Sequence, residues 1–163
     1  VLDTARFRSL IADHFHVNAL DVKALILGEH GDSMVPIWSS ATVGGVSIQS
    51  IPGWADDTAG ELFQKTKTSG AEVIRQKGGA GRAVGISIQE VVEAIALDNG
   101  RILPVSALQK GTLGVEGVCY SMPTVVGRRG AHQIWEPQVS DAEREGLHKS
   151  AQALKDTLTQ IGV

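Results

Sequence analysis

With 163 residues, 42% of them hydrophobic and 20% charged, the chain carries enough apolar side chain for one folded core and too little charge for a disordered segment. A net charge of −3 and a pI near 5.9 exclude the basic face that nucleic acid requires, and no apolar run is long enough to span a bilayer. The one cysteine, Cys119, has no internal disulfide partner, so a reducing compartment, the cytoplasm, is the expected location. The sequence opens on Val1, not Met, and runs directly into helix-like sequence. It therefore reads as a single domain, 1–163, cut from a longer protein just upstream of Val1.

From Asp3 to about Val17 the pattern is helical, with Leu2, Ala5, Phe7, Leu10, Ile11 and Phe15 recurring mostly at spacings of three and four. Asp3 and Arg6 share one face of it. Asn18 to Val22 turns into a strand, Val22-Lys23-Ala24-Leu25-Ile26-Leu27, that ends in Gly28-Glu29-His30-Gly31-Asp32-Ser33. Glycines bracketing a histidine permit a sharp turn and a close approach to a ligand, and an imidazole exchanges protons near neutral pH. Met34 to Trp38 follows, where Pro36 disfavours a central strand position. Ser39 to Ile51 is a β-branched run broken by Gly44-Gly45, either a tight hairpin or an irregular strand pair.

After a loop over 52–58, with Asp57 or Thr58 as the expected cap, a helix is predicted over Ala59–Lys77. Leu62, Phe63, Ala71, Val73 and Ile74 would face the core. Lys77-Gly78-Gly79-Ala80-Gly81 interrupts it, and a second helix runs from about Arg82 to Leu97, apolar on nearly all sides. Such a helix is buried centrally or covered by another domain. Three strands are expected at Ile102–Leu108, Gly117–Val126 and Gln133–Glu136. Ser140-Asp141-Ala142-Glu143 is a capping box for a last helix that steps through Leu147, Ala151, Leu154, Leu158 and Ile161. This order gives an α+β fold with mainly antiparallel strands, and not an alternating βαβ pattern.

Several constellations bear on chemistry. The run Gly78 to Gly85 suggests a phosphate loop but follows a helix, where a dinucleotide fingerprint must follow a strand; a helix–glycine–helix junction fits better. Glu29, His30 and Asp32 alternate in direction and lack a third ligand cluster, so no metal is expected. Ser33, His30 and Asp3 supply the residue types of an acyl-transfer triad without a nucleophile elbow. A different grouping, Asp3, Arg6 and His30, combines three functions. A carboxylate accepting one ring N–H fixes the imidazole tautomer; the other ring nitrogen exchanges a proton with a hydroxyl; a guanidinium grips a carboxylate through two parallel hydrogen bonds. Together they suit a small 2-hydroxy acid.

Leu2-Asp3-Thr4-Ala5-Arg6-Phe7-Arg8 followed by Gly28-Glu29-His30-Gly31-Asp32-Ser33 closely resembles the C-terminal, substrate-binding half of the lactate/malate dehydrogenase family. The resemblance continues through Val43-Gly44-Gly45-Val46, Lys77-Gly78, Leu103-Pro104-Val105-Ser106 and the last helix, and so covers essentially the whole chain. It implies His30 as the proton acceptor in hydroxy-acid oxidation and donor in keto-acid reduction, Asp3 as its partner, Arg6 as the clamp on the substrate carboxylate, and NAD as the hydride carrier.

Some positions depart from the family pattern. Where lactate enzymes commonly place a pocket threonine this chain has Ala80, which leaves weight on malate. Gly28-Glu29-His30 with Trp38 is nearer to bacterial L-lactate enzymes, since many malate enzymes carry Gly-Gly-His. At the bacterial sugar-phosphate effector site Arg8 matches, but Lys23 stands where a histidine is usual. The N-terminal Rossmann NAD-binding half and the mobile specificity loop are absent from these residues, so the piece is expected to be inactive alone. The resemblance further implies a glycolytic homo-oligomer, a dimer or tetramer. An L-lactate dehydrogenase is favoured over a malate dehydrogenase, and the alternative of another class is a non-catalytic oligomerisation domain built around the apolar helix.

Overall fold

In the computed structural model, which describes residues 1–162, helix α1 (Leu2–Phe15) buries Thr4, Phe7, Ile11 and Ala12. It stops short of the expected Val17 because His16 turns left-handed at φ 53 and the Val17 N–H reaches back to the Ala12 carbonyl at 3.0 Å. Strands β1 (Val22–Leu27), β2 (Val35–Val43) and β3 (Val46–Ser47) form an antiparallel sheet in that order. Gly44 and Gly45, at φ 57 and 86, make the two-residue hairpin, a turn that needs positive φ at both positions. Pro36 lies in the middle strand, against the expectation. Since β3 pairs only with Thr42 and Val43, β1 is the single neighbour at Pro36, and the residue occupies what is locally an edge.

Helix α2 (Asp56–Lys77) starts before the expected Ala59. Neither Asp57 nor Thr58 caps it; Ala55 is the N-cap, and Asp56 and Asp57 sit in the first turn, where carboxylates are stabilised by the positive helix end. Leu62 is buried and Phe63 and Val73 half-buried, but Ala71 and Ile74, expected in the core, are exposed. Gly78 at φ 73 closes the helix. Helix α3 (Gly81–Ala96) excludes one of the two placements expected for it. It is not buried centrally: of its residues only Ala94 is buried, while Val84, Ile86, Ile88, Val92 and Ile95 are exposed.

The second sheet, β4 (Arg101–Lys110), β5 (Glu116–Gly127) and β6 (Gly130–Ile134), is antiparallel in chain order. β6 begins at Gly130 and not at Gln133, because Gly127 pairs directly with Gly130 across Arg128-Arg129. Gly28 and Ser121 join the two sheets through a pair of backbone hydrogen bonds, 3.0 and 2.8 Å. No helix among the described residues is long and apolar enough to cross a membrane.

The apolar residues fall into two main clusters on opposite faces of β1. Val22, Ala24 and Ile26 pack on α1 with Phe7, Ile11, Ile48 and Leu62. Leu27 packs the other way with Ile37, Tyr120, Met122 and Leu147. The first cluster is not purely aliphatic, despite the few aromatics in the sequence: Trp38 lies 4.6 Å from Phe7 and 4.9 Å from Trp54, ring centre to ring centre, separations at which aromatic pairs add to their burial.

Helix α4 (Asp141–Gln160) opens with the expected capping box of Ser140 and Glu143. Glu143 does more than cap. Its carboxylate also accepts the backbone N–H groups of Trp38 at 2.7 Å and Ser39 at 3.0 Å and the Ser39 hydroxyl, tying α4 to β2. Burial pushes this carboxyl upward, but the hydrogen bonds from Ser39, Ser140 and Trp38 outweigh burial and hold it below the usual value. A carboxylate depressed on folding stabilises fully above its unfolded value and loses that contribution as pH falls through its folded one. Glu143→Gln is therefore expected to cost about 1–3 kcal/mol near neutral pH. In urea denaturation followed from neutral pH into the acid range the variant should converge on the parent; a constant difference would contradict this role.

Candidate functional site

Local chemistry places α1 beside the loop that follows β1. The Thr4 hydroxyl accepts the Ile26 N–H at 3.0 Å and donates to the Ile26 carbonyl at 3.3 Å. Being buried, this reciprocal pair fixes the first turn of α1 in register with β1. Asp3, one residue earlier, is thereby carried to the loop that begins at Gly28. In the sequence the one sign of this role for Thr4 is a hydroxyl residue on the apolar side of an amphipathic helix.

Asp3 serves both other candidates at once. Its Oδ2 lies 2.6 Å from His30 Nδ1 and its Oδ1 lies 3.4 Å from Arg6 Nη1. A carboxylate only accepts, so Nδ1 carries the proton and Nε2 is the free nitrogen of the ring. The Asp3 side chain is 19% exposed and that of His30 80% exposed: a sheltered carboxylate orients an imidazole open to solvent. Arg6 is sheltered too, and it lies against Gly70 of α2, where an added Cβ would sit 3.2 Å from Nη1. Glycine in a helix interior costs about 1 kcal/mol relative to alanine, and at Gly70 it leaves room for the Arg6 guanidinium.

The loop itself is pinned on both flanks. Gly28 has φ 89, which favours glycine, and it faces Ser150 of α4 so closely that a Cβ would stand 2.6 Å from the serine Oγ. The Glu29 N–H donates to Ser150 Oγ at 2.7 Å. The Glu29 carboxylate turns back to the Ser33 hydroxyl and N–H. On the other flank Lys67 of α2 donates to the Asp32 carbonyl at 2.9 Å and approaches its carboxylate at 3.5 Å. Glu29, His30 and Asp32 thus aim at three different partners and do not converge. Ser33 bonds Glu29 and not His30, so the triad of Ser33, His30 and Asp3 is not assembled.

A cavity of about 500 Å³ opens beside this constellation. Asp3, Gly28 and His30 border it on one side, and Val84, Ile88 and Val92 of α3 form an apolar wall. This is a role for the α3 surface that the sequence left open. Arg6 and Ala80 do not border the cavity. Arg6 reaches the site through Asp3, whereas Ala80, half-buried as the N-cap of α3, has no contact that joins it to His30. The wall is aliphatic with few polar groups, which suits an uncharged, flat ligand surface.

Arg8 and Lys23 are each engaged within the chain. Arg8 Nε donates to the Ala24 carbonyl at 2.9 Å and Lys23 Nζ to the Leu20 carbonyl at 2.7 Å. Burial lowers the Arg8 guanidinium below its ordinary value, with the Glu90 charge opposing. The exposed Cys119 is a free thiol.

A family model described as lactate/malate dehydrogenase, alpha/beta C-terminal domain, matches residues 1–162. The L-lactate dehydrogenase of Salinibacter ruber is 42% identical over 167 residues, covering 100% of this chain and 53% of that protein. That of Gloeobacter violaceus is 40% identical, covering 99% and 50%. Among solved structures, a ligand-bound minor L-lactate dehydrogenase from Enterococcus mundtii superposes with a TM-score of 0.95 at 33% identity, covering 99% of this chain and 53% of that one. A malate dehydrogenase from Salinibacter ruber gives 0.89 at 36% identity, covering 98% and 52%. The chain spans about half the length of the curated relatives it matches.

Proposed function

Because the chain belongs to the lactate/malate dehydrogenase family, as its alpha/beta C-terminal domain, we propose that it is the substrate-binding half of a cytoplasmic NAD-dependent L-2-hydroxy-acid oxidoreductase, favouring L-lactate and pyruvate. The observation that carries this reading is the divided Asp3 carboxylate, one oxygen on His30 Nδ1 and the other facing Arg6. The nicotinamide cofactor, when bound, supplies or receives the hydride at C2 of the substrate. Val84 and Ile88 of the apolar wall are the residues that would hold its ring.

What the chain's own residues do follows from their atoms. In the oxidation direction the neutral His30, protonated at Nδ1, takes the substrate hydroxyl proton at Nε2, and Asp3 stabilises the imidazolium that forms. In the reduction direction the doubly protonated ring returns that proton to the carbonyl oxygen. Arg6 holds the substrate carboxylate: its Nη1 faces Asp3, and no described residue accepts from Nη2 or Nε. Asp3 takes only Nη1, so the remaining Arg6 donors are those that would grip a substrate carboxylate through two parallel hydrogen bonds. The outer face of α3, exposed in this chain, would be covered by an upstream nucleotide-binding half or by a second subunit of a dimer or tetramer, and the piece alone would be inactive.

Malate and oxaloacetate are the second reading, supported by the similarity to the Salinibacter ruber malate dehydrogenase structure. In the complete protein, NADH oxidation with pyruvate and with oxaloacetate is the test. Turnover of pyruvate with the larger kcat/KM is expected. A preference for oxaloacetate would replace the first reading with the second, and turnover of neither would overturn both.

A further inference from the structure

Ser150 lies far along the chain from His30, on the last helix, yet it is wholly buried against the turn that carries the histidine. Its Oγ accepts the Glu29 N–H at 2.7 Å and stands 3.3 Å from the Ser33 Oγ. Ser33 gives its own proton to the Glu29 carboxylate, so the Ser150 hydroxyl proton is free to go to Ser33. The result is a closed ring: Glu29 N–H to Ser150, Ser150 to Ser33, Ser33 to the Glu29 carboxylate. Every donor in it is used, and the buried Ser150 hydroxyl links the two half-buried residues of the loop. The same Oγ and Cβ fill the space that a side chain at residue 28 would need, with Leu147 beneath them. The polypeptide next to His30 is therefore held both by hydrogen bonds and by contact, whereas the His30 side chain is largely exposed and its one hydrogen bond is to Asp3.

We propose that Ser150 is the positioning residue for His30: from α4 it locks the Gly28-Glu29 turn so that the imidazole meets Asp3 through Nδ1 and presents Nε2. This rests on the reading of His30 as the proton relay, and the physical reason is one of precision. A 2.6 Å contact between an exposed ring and a sheltered carboxylate survives only if the backbone beneath the ring does not drift. A misplacement of about 1 Å at a reacting group is enough to lower a rate on the order of a hundredfold.

Ser150→Ala keeps the Cβ and deletes both hydrogen bonds. In the complete protein it is expected to lower kcat for keto-acid reduction roughly ten- to a hundredfold while leaving KM within about twofold, because Arg6 is untouched. The imidazole ¹⁵N resonances of His30, read at mildly alkaline pH, should move from protonation at Nδ1 towards a mixture of tautomers. Leu158→Ala, on the same helix but away from the turn, is the control. It should lower the melting temperature without moving those resonances. If Ser150→Ala does not fold, Ser33→Ala opens the same ring from the loop and is read in the same way. An unchanged tautomer in the folded variant overturns the positioning role, whatever happens to kcat. A changed tautomer with unchanged kcat upholds the positioning role and overturns the proton-relay reading.

Discussion

His30→Ala in the complete protein is expected to lower kcat/KM for keto-acid reduction by about 10²–10⁴-fold, the usual worth of a positioned general acid or base, which corresponds to about 3–5 kcal/mol of barrier. The effect should appear in the chemical step and spare the rest of the molecule. The imidazole is 80% exposed and its one hydrogen bond is to Asp3, so its removal opens no cavity, and Asp3 keeps Arg6 as a partner. NADH affinity, followed by fluorescence titration, and the melting temperature should stay near the parent values while single-turnover reduction slows. Retained single-turnover rates would remove His30 from the reaction and leave the apolar cavity as a binding feature only.

Arg6→Lys should raise KM for the keto acid roughly ten- to a hundredfold. A guanidinium grips a carboxylate with two parallel N–H donors, an ammonium with one point charge. Losing one hydrogen bond to a charged group costs about 1.5–3 kcal/mol, and each 1.4 kcal/mol is about tenfold in affinity. The shorter reach of lysine also moves its charge away from Gly70 and Asp3, between which the Arg6 guanidinium now lies. Some loss of kcat should accompany the loss of affinity, since a pivoting substrate presents its C2 oxygen poorly to Nε2. Steady-state kinetics with varied keto acid decides it, and an unchanged KM would rule out Arg6 as the clamp.

Both experiments act on side chains named from the sequence, whereas the neighbours that make them effective were not legible there. Asp3, Arg6 and His30 stood out because their types combine into one chemistry. Thr4, Gly70 and Ser150 look ordinary in the sequence, a threonine, a glycine and a serine within helices, and they matter through contacts with segments distant in the chain. The elements show the same division. The cap at Ser140 and the hairpin at Gly44-Gly45, the latter one of the two forms its pattern allowed, depend on neighbouring residues. Helix α2 began early, at Asp56, because carboxylates can stabilise a first turn as well as cap it. Pro36 entered a middle strand because the strand beyond it is only two residues long.

Sequence by itself determined the α+β order of elements, the apolar stripe of α1, the glycines around His30 and the set of residues able to move a proton and bind a carboxylate. These follow from periodicity, backbone freedom and functional-group chemistry, all local properties. Tertiary structure decided that Asp3 divides its two oxygens between His30 and Arg6 while Ala80 stays apart, that α3 turns its apolar face to a cavity and to the outside, and that α4 sets the turn beneath the histidine. Such pairings join segments far apart in the chain. The free energy that selects them comes from packing and hydrogen bonds that form only once the two sheets and α4 have closed on one another.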